Sequence, residues 1–224
     1  MKMKYSAILF DFDGTLIESG PCIIYTLRRT LREIGLNELA AWSDTALRPM
    51  VGPPLREGFA SYLQLPEKYV DKAISIYRSH ANDPMALCLL HPYPGIPELL
   101  KRLREKGVKI GIATAKLDAI SRLHLKTTGL TDLIDFVSAS KSDQQCSKPQ
   151  LILEAIEALG ADKQHTVMVG DRLYDMDAAR QTGIPGIGVL YGYGSRAELE
   201  AHGASYIVES VEQLESLLTE EEEL

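Results

Sequence analysis

The sequence contains few cysteines, scattered histidines and no long hydrophobic run. Three cysteines occur among 224 residues, at Cys22, Cys88 and Cys146, and none belongs to a C-x-x-C pair. An odd number of isolated cysteines fits reduced thiols in a cytosolic protein. The five histidines show no i, i+4 spacing, which argues against a histidine-based metal site.

Basic residues are fewer than acidic ones, with 24 Lys and Arg against 31 Asp and Glu. The net charge is −7 and the pI is about 5.3, which argues against nucleic acid as a partner, because clustered Lys and Arg hold phosphate backbones. A small phosphorylated metabolite stays open as a partner, since one local cation can dominate a site. No run reaches the roughly 18 apolar residues that span a bilayer, and the N-terminal run is too short for a signal peptide. We therefore expect a cytoplasmic protein without a membrane partner.

A buried strand that ends in two carboxylates is the most informative feature present. The mostly apolar run from Tyr5 to Phe10 is typical of a buried strand. Asp11 and Asp13 follow it, and Gly14 then permits a turn that brings both carboxylates to one sheet edge. Taken alone, the pattern also fits turn and helix-capping residues, since turns are rich in Asp and Gly.

Strand and helix patterns alternate in the second half of the chain. Such alternation implies right-handed crossovers between parallel strands. It predicts an α/β fold with a Rossmann-like parallel sheet core and helices on both faces. The strands predicted after the first are Val108–Thr114, Leu133–Ser140, Thr166–Gly170, Gly183–Leu190 and the short edge strand Ala204–Val208.

Polar side chains recur where these strands end. Thr114 closes one strand and Asp171 follows another, so both fall at the edge predicted for Asp11. Asp175 lies four residues after Asp171 and can approach it on one helical face. A capping role would explain one of these carboxylates, but it explains less well why all of them fall at one edge. Carboxylates without histidine suit a hard cation that prefers oxygen ligands, and we predict Mg²⁺.

Two further stretches have a predicted role at this edge. Lys148 stands beside Pro149 at a helix start, where the partial positive charge of the helix disfavours a cation. This position indicates an anion near Lys148, with a surface lysine as the common alternative. The glycine-rich loop at residues 191–194 could cradle a phosphate, but it lacks the Gly-Lys-Ser/Thr of a nucleotide P-loop, so we expect a flexible loop.

Helical patterns fill the stretch between the first strand and residue 91. Apolar residues recur at spacings of three and four, with breakers at Gly52–Pro54 and Pro66, and no convincing strand occurs. We expect a helical cap domain at residues 16–90, inserted into a core domain formed by residues 1–15 and 91–224. A helical block beside a reactive strand end can act as a lid that excludes water. An additional packing layer is the alternative.

Taken together, these stretches resemble the haloacid dehalogenase superfamily in its phosphatase branch. The matching motifs are Asp11–Thr15, Thr114, Lys148–Pro149 and Gly170–Asp175, and the resemblance spans almost the whole chain. The helical insertion looks like the C1-type cap of that family. Residues 191–195 and Ala204–Val208 look most similar to phosphoglycolate phosphatase-like members.

The resemblance implies phosphoryl transfer to a carboxylate and then to water. Asp11 would be the nucleophile, and Asp13 would act as general acid and then as general base. Thr114 and Lys148 would stabilise the transferred group, and Asp175 would either ligate the metal or orient Lys148. The residues implied around Mg²⁺ are Asp11, Asp13 through its backbone carbonyl, Asp171 and Asp175.

The resemblance also implies substrate contacts and leaves alternatives open. Gly14, Thr15 and Ala115 would contact the phosphoryl group, and Arg56, near a loop that resembles a substrate-facing one, is the best candidate in the cap. Phosphoglycolate, a nucleoside monophosphate and pyrophosphate remain possible substrates. A β-phosphoglucomutase-type phosphotransferase and a non-catalytic binding protein are the other functions, and the acid at Asp13 disfavours dehalogenation. A monomer or weak homodimer is the default expectation.

Overall fold

The computed structural model describes residues 2–142 and 147–222. It divides into two compact units, which we call the core unit, residues 1–17 and 92–224, and the helical unit, Glu18–His91. The thiol of Cys146 lies outside the described residues. Among the helices in the described part of the chain, none has the length and apolar character that a membrane span requires.

A six-stranded sheet forms the centre of the core unit. Its strands are β2 (Ala7–Phe10), β5 (Lys109–Leu117), β6 (Phe136–Ser140), β7 (Thr166–Gly170), β8 (Gly186–Val189) and β9 (Tyr206–Val208). They lie in the order β6-β5-β2-β7-β8-β9, and all neighbours run parallel. This confirms the predicted α/β fold and places the carboxyl ends of all six strands at one edge. The remaining, two-residue strands are β1 (Lys2–Met3), β3 (Ile17–Glu18), β4 (His91–Pro92) and β10 (Glu221–Glu222).

Both faces of the sheet are buried. Leu9 of β2 belongs to an apolar cluster with Ile152 and Ala178, which lie on two helices of one face. Ile8 and Phe10 alternate with Leu9 along the strand and are also fully buried, so the opposite face is covered as well. The helices of the core unit are α7 (Ile96–Glu105), α8 (Asp118–Thr128), α9 (Lys148–Leu159), α10 (Leu173–Thr182), α11 (Arg196–Ala201) and α12 (Val211–Leu218), with 3₁₀ turns at Thr131–Leu133 and Lys163–His165.

Strand β5 is longer than predicted. It continues beyond Thr114 to Leu117, and helix α8 begins at Asp118. Between Thr114 and Leu117 the register against β6 shifts, because three steps along β5 match one step along β6. Ala115 and Lys116 therefore form a bulge, a feature that redirects side chains at the end of a strand.

The helical unit has no strand between Gly20 and Leu90, all of which the structure describes. Leu31, Phe59 and Val70 are fully buried in its own apolar cluster, so the unit has a core separate from that of the sheet. Both of its cysteines are free thiols. Its helices are α1 (Gly20–Glu33), α2 (Asn37–Ala40), α3 (Asp44–Leu47), α4 (Leu55–Glu57), α5 (Glu67–Ser79) and α6 (Pro84–Leu87), with a 3₁₀ turn at Arg48–Met50 and a π-helical turn at Gly58–Tyr62.

Candidate active site

Asp11 follows the central strand directly. Its amide donates to the carbonyl of Val169 at 2.8 Å, which extends the pairing of β2 with β7. The chain then turns, since the amide of Gly14 donates to the carbonyl of Ile17 at 2.9 Å and Gly14 has a φ of +84°. A Cβ on Gly14 would overlap the carboxylate of Asp171. Glycine is therefore required where the two acidic segments meet.

Asp171, at the end of β7, is fully buried and held from two sides. Its carboxylate accepts hydrogen bonds from Thr15 Oγ1 at 3.3 Å and from the amide of Tyr193 at 2.8 Å. A Cβ on Gly192 or Gly194 would overlap atoms of Asp171. The glycine-rich loop that we expected to be flexible is thus packed against Asp171, and its glycines permit that close approach.

Three carboxylates and one lysine meet at this edge of the sheet. Asp11, Asp171 and Asp175 each offer one oxygen to a group of atoms that lie within 4.8 Å of one another, and all three residues are buried. Lys148, the first residue of α9, places Nζ 2.7 Å from Asp11 Oδ1 and also pairs with Asp175 Oδ1. The second oxygen of Asp175 accepts a hydrogen bond from the amide of Arg172 at 3.0 Å. We call these three carboxylates and Lys148 the buried cluster.

Burial has the largest single effect on the pKa values of Asp11, Asp171 and Lys148 in the buried cluster. It raises the pKa of Asp11 to about 6, against the opposing effect of the Lys148 ammonium. Burial, and then the negative charges of Asp175 and Asp11, raise the pKa of Asp171 well above its ordinary value. Burial on its own lowers the pKa of Lys148, but the carboxylates of Asp11 and Asp175 outweigh it and raise that pKa. Lys148 is therefore a fixed positive charge at neutral pH.

The charge balance of the buried cluster tests whether a metal ion fits there. Three carboxylates face one ammonium group, so two negative charges remain uncompensated when all the carboxylates are ionised. A single divalent cation would neutralise them. The donors are all carboxylate oxygens, the ligands that Mg²⁺ prefers. Both the charge and the donor chemistry of the buried cluster therefore fit a hard divalent metal.

Asp13 is held by Lys116, a residue that was not predicted to belong to the site. Nζ of Lys116 lies 3.0 Å from Oδ1 and 2.8 Å from Oδ2 of Asp13. The sequence signal was the position of Lys116 two residues after Thr114, at a strand end on the predicted edge. That signal was incomplete, because the direction of the Lys116 side chain depends on the bulge in β5.

Three other predicted phosphate contacts lie in the core unit. Thr114 is buried, and its Oγ1 accepts a hydrogen bond from the amide of Lys116 at 3.2 Å. The hydroxyl of Thr15 donates to Asp171, so its observed partner is a carboxylate of the buried cluster. Ala115 forms part of the bulge beside Thr114. Their contacts with substrate stay predictions.

Arg56 belongs to the helical unit. Its guanidinium lies 3.2 Å from Glu67 Oε1 and also pairs with Asp71, both on helix α5. This ion-pair group explains the position of Arg56 without a ligand. The predicted role of Arg56 in substrate binding therefore stays a prediction.

The fold and the site together define the class of the protein. A lysine-paired aspartate and a group of carboxylates that could hold a metal ion lie at one edge of a parallel sheet, and a second aspartate follows the first by two residues. This arrangement is typical of hydrolases that act on phosphate esters. A family model described as haloacid dehalogenase-like hydrolase matches residues 8–189. The chain belongs to the haloacid dehalogenase-like hydrolases, as the sequence motifs predicted.

Relatives of this chain carry different phosphatase names. A pyrophosphatase, PpaX of Halalkalibacterium halodurans, is 29% identical over 95% of this chain and 96% of its own length. A phosphoglycolate phosphatase of Aquifex aeolicus is 30% identical over 83% of this chain and 85% of its own length. The crystal structure of a predicted phosphatase from Clostridium acetobutylicum has a TM-score of 0.87 and 32% identity, covering 95% of this chain and 97% of that one. Relatives at about 30% identity therefore carry the names of more than one substrate.

Proposed function

We propose that this chain is a Mg²⁺-dependent phosphatase that hydrolyses a small phosphomonoester through an aspartyl-phosphate intermediate. The observation that carries the proposal is the placement of Asp11. Its carboxylate lies at the carboxyl end of the central strand, 2.7 Å from a buried lysine and two residues before a second carboxylate. A nucleophile, a fixed cation and a proton-transfer group thus occupy one small volume.

In the first half-reaction, Asp11 attacks phosphorus in line and the bond from phosphorus to the leaving oxygen breaks. Lys148 carries the positive charge that reduces the repulsion between the Asp11 carboxylate and a phosphate dianion. Asp13 donates a proton to the leaving oxygen, so the alcohol departs neutral. Thr114 donates its hydroxyl proton in a hydrogen bond to a phosphoryl oxygen.

In the second half-reaction, water attacks the phosphorus of the aspartyl-phosphate. Asp13, now a carboxylate, accepts a proton from that water. The Asp11 carboxylate is released together with inorganic phosphate, and Asp13 returns to its acid form. One residue therefore serves both steps, and its carboxyl group has to reach the same side of phosphorus each time.

The groups that would hold Mg²⁺ are the carboxylates of the buried cluster and the backbone of Asp13. Asp11 and Asp171 would provide carboxylate oxygens, Asp13 its backbone carbonyl, and Asp175 would ligate the ion or orient Lys148. When bound, Mg²⁺ supplies positive charge that offsets the charge of the phosphoryl group. Thr15 and the amide of Tyr193 hold Asp171 in place for this role.

Phosphoglycolate is the first candidate substrate, because the C-terminal part of the sequence resembles phosphoglycolate phosphatase-like members. Pyrophosphate is a second candidate, supported by the relative named as a pyrophosphatase. A 5'-nucleotidase and, less strongly, a β-phosphoglucomutase-type phosphotransferase or a non-catalytic binding protein are the remaining alternatives. We expect a cytoplasmic monomer or weak homodimer that acts on a phosphorylated metabolite and binds neither nucleic acid nor a membrane.

Release of inorganic phosphate tests the proposal. The purified chain is assayed with phosphoglycolate, pyrophosphate, nucleoside monophosphates and hexose phosphates, with Mg²⁺ and again with EDTA. Metal-dependent release from a phosphomonoester supports a phosphatase, and the ranking of kcat/KM identifies the substrate class. Interconversion of hexose phosphates without phosphate release would indicate the phosphotransferase. No turnover of any substrate would contradict the proposed function.

A further inference from the structure

The ammonium group of Lys116 donates hydrogen bonds to both carboxylate oxygens of Asp13. Nζ lies within hydrogen-bond distance of both oxygens, at 3.0 Å and 2.8 Å. The two side chains are 9% and 15% exposed, so the pair is largely shielded from water. A charge-assisted contact to both oxygens fixes the plane of a carboxylate as well as its position.

The bulge in β5 gives Lys116 its direction. Ala115 and Lys116 are the residues by which β5 departs from its register with β6. The amide of Lys116 donates to Thr114 Oγ1 at 3.2 Å, which anchors the bulge to a buried residue. Nζ also lies 5.7 Å from the centre of the Phe12 ring, a cation–π contact that holds the side chain beside the first motif. Backbone and ring thus both direct the ammonium group to Asp13.

We propose that Lys116 is a positioning residue for the proton transfers of Asp13, an inference that rests on the proposed phosphatase function. Lys148 pairs with Asp11, and Lys116 pairs with Asp13. Each carboxylate of the first motif therefore has its own lysine, one for the proposed nucleophile and one for the proposed acid and base.

In the first half-reaction, Lys116 would stabilise the charge that develops on Asp13. As the bond between phosphorus and the leaving oxygen breaks, the proton moves from Asp13 to that oxygen and negative charge develops on Asp13. The neighbouring ammonium group of Lys116 stabilises this charge and keeps the carboxyl group oriented. The effect is largest for an alkoxide leaving group, which needs the proton, and smallest for a stabilised phenolate, which departs without it.

The test compares Lys116→Met with the wild type on two substrates, an alkyl phosphate and p-nitrophenyl phosphate. The quantity measured is kcat/KM, because it reports the steps up to phosphorylation of Asp11. We expect a loss of about 100-fold on the alkyl phosphate and of less than about fivefold on p-nitrophenyl phosphate. Lys116→Arg retains the charge. We expect its kcat/KM on the alkyl phosphate to be at least about tenfold higher than that of Lys116→Met.

A second measurement asks whether Lys116 acts through Asp13. In the Asp13→Asn background no carboxylate remains to be held, so adding Lys116→Met is expected to change kcat/KM by less than about threefold. Lys101→Met, which removes an exposed lysine from α7, is the matched control and is expected to match the wild type. Thermal unfolding of each variant separates misfolding from loss of function, and Lys116→Arg decides the matter if the Met variant does not fold.

Equal losses on the two substrates would overturn the role of Lys116, as would a full additional loss in the Asp13→Asn background. Either result would leave the phosphatase activity of the wild type in place. Absence of phosphatase activity in the wild type would instead remove the proposed function, so the two failures are distinguishable.

Discussion

Two ionic groups of similar composition occupy the two units of this chain. In the core unit, Lys148 pairs with Asp11 and Asp175. In the helical unit, Arg56 pairs with two carboxylates of helix α5. The side chains of the first group are between 1% and 11% exposed. The arginine of the second is 38% exposed, and its partners Glu67 and Asp71 are 80% and 77% exposed.

The two ionic groups differ in their exposure to solvent and in how far apart their residues lie in the sequence. Exposed ion pairs are weakened by water and by dissolved ions, whereas buried charges interact strongly and are costly when one partner is removed. The buried cluster joins Asp11 and Asp171, which follow two different strands, to residues 148 and 175, which lie in the first turns of α9 and α10, so it forms only when the sheet forms. The exposed group joins residues 56, 67 and 71, which are close in the chain. A costly arrangement that depends on the whole fold indicates function more strongly than a local surface contact does.

The largest expected effect comes from removing the nucleophile of the buried cluster. Asp11→Asn should lower kcat by at least about a thousandfold, because an amide cannot form the aspartyl-phosphate. Phosphate release with Mg²⁺ measures the effect, and circular dichroism verifies the fold. Glu67→Gln, a matched loss of one carboxylate from the exposed group, should leave kcat within about twofold of the wild type. Retention of most activity by Asp11→Asn would exclude Asp11 as the nucleophile.

The second expected effect contrasts the two cations directly. Lys148→Met leaves buried carboxylates without their counter-charge and should lower the free energy of unfolding by about 3 to 5 kcal/mol in the metal-free protein. Arg56→Met should lower it by less than about 1 kcal/mol, since its partners remain solvated. Urea unfolding of both variants at neutral pH, in EDTA, gives the comparison. Similar losses of unfolding free energy in the two variants would show that burial does not make the ion pairs of the core unit more important for stability than those of the helical unit.

Asp11 and Asp171 could be predicted from sequence because each one follows a buried strand. A short apolar run that stops at Asp or Gly-Asp places its carboxylate at the carboxyl edge of a parallel sheet, wherever the strand lies within that sheet. Asp11 and Asp171 follow this rule, and they flank each other because β2 and β7 are neighbours. Lys148 was found by a different signal, a cation at the unfavourable end of a helix.

Lys116 and the 191–194 loop were not predicted correctly because their roles depend on tertiary geometry. The pattern ends the strand at Thr114, whereas β5 continues to Leu117 through a register shift that no residue spacing reveals. The glycines of the loop matter because Asp171 lies against them, and that approach links segments about 20 residues apart in sequence. Local patterns therefore located the strand ends, and packing between them determined which side chains meet.

A third prediction concerns metal and pH in the buried cluster. Folding raises the pKa of Asp11 from 3.8 to about 6 in the metal-free protein, so the ionised carboxylate is unfavourable there and stability falls as pH rises through that window. Mg²⁺ competes with protons for these oxygens. At about 100 times its dissociation constant it should raise the melting temperature at pH 7.5 by about 5 to 10 °C, and by clearly less at pH 5.

Differential scanning fluorimetry with and without Mg²⁺ measures these shifts. Asp171→Asn removes one ligand from the buried cluster and should abolish most of the shift at pH 7.5. Asp71→Asn makes the same change in the exposed group and should preserve it. A shift of the same size at both pH values, or in all three proteins, would mean that the ion binds elsewhere.

The smallest expected effect asks whether the exposed group has a function at all. If Arg56 contacts an anionic leaving group, Arg56→Ala should raise KM for phosphoglycolate about three- to tenfold and leave kcat unchanged, because only ground-state binding is lost. KM for an alkyl phosphate with an uncharged leaving group should not change. Arg32→Ala removes another exposed cation of the helical unit and provides the control for net charge. Unchanged KM values in Arg56→Ala would show that Arg56 does not bind substrate. The exposed group would then be a surface ion pair without a role in catalysis, unlike the buried cluster.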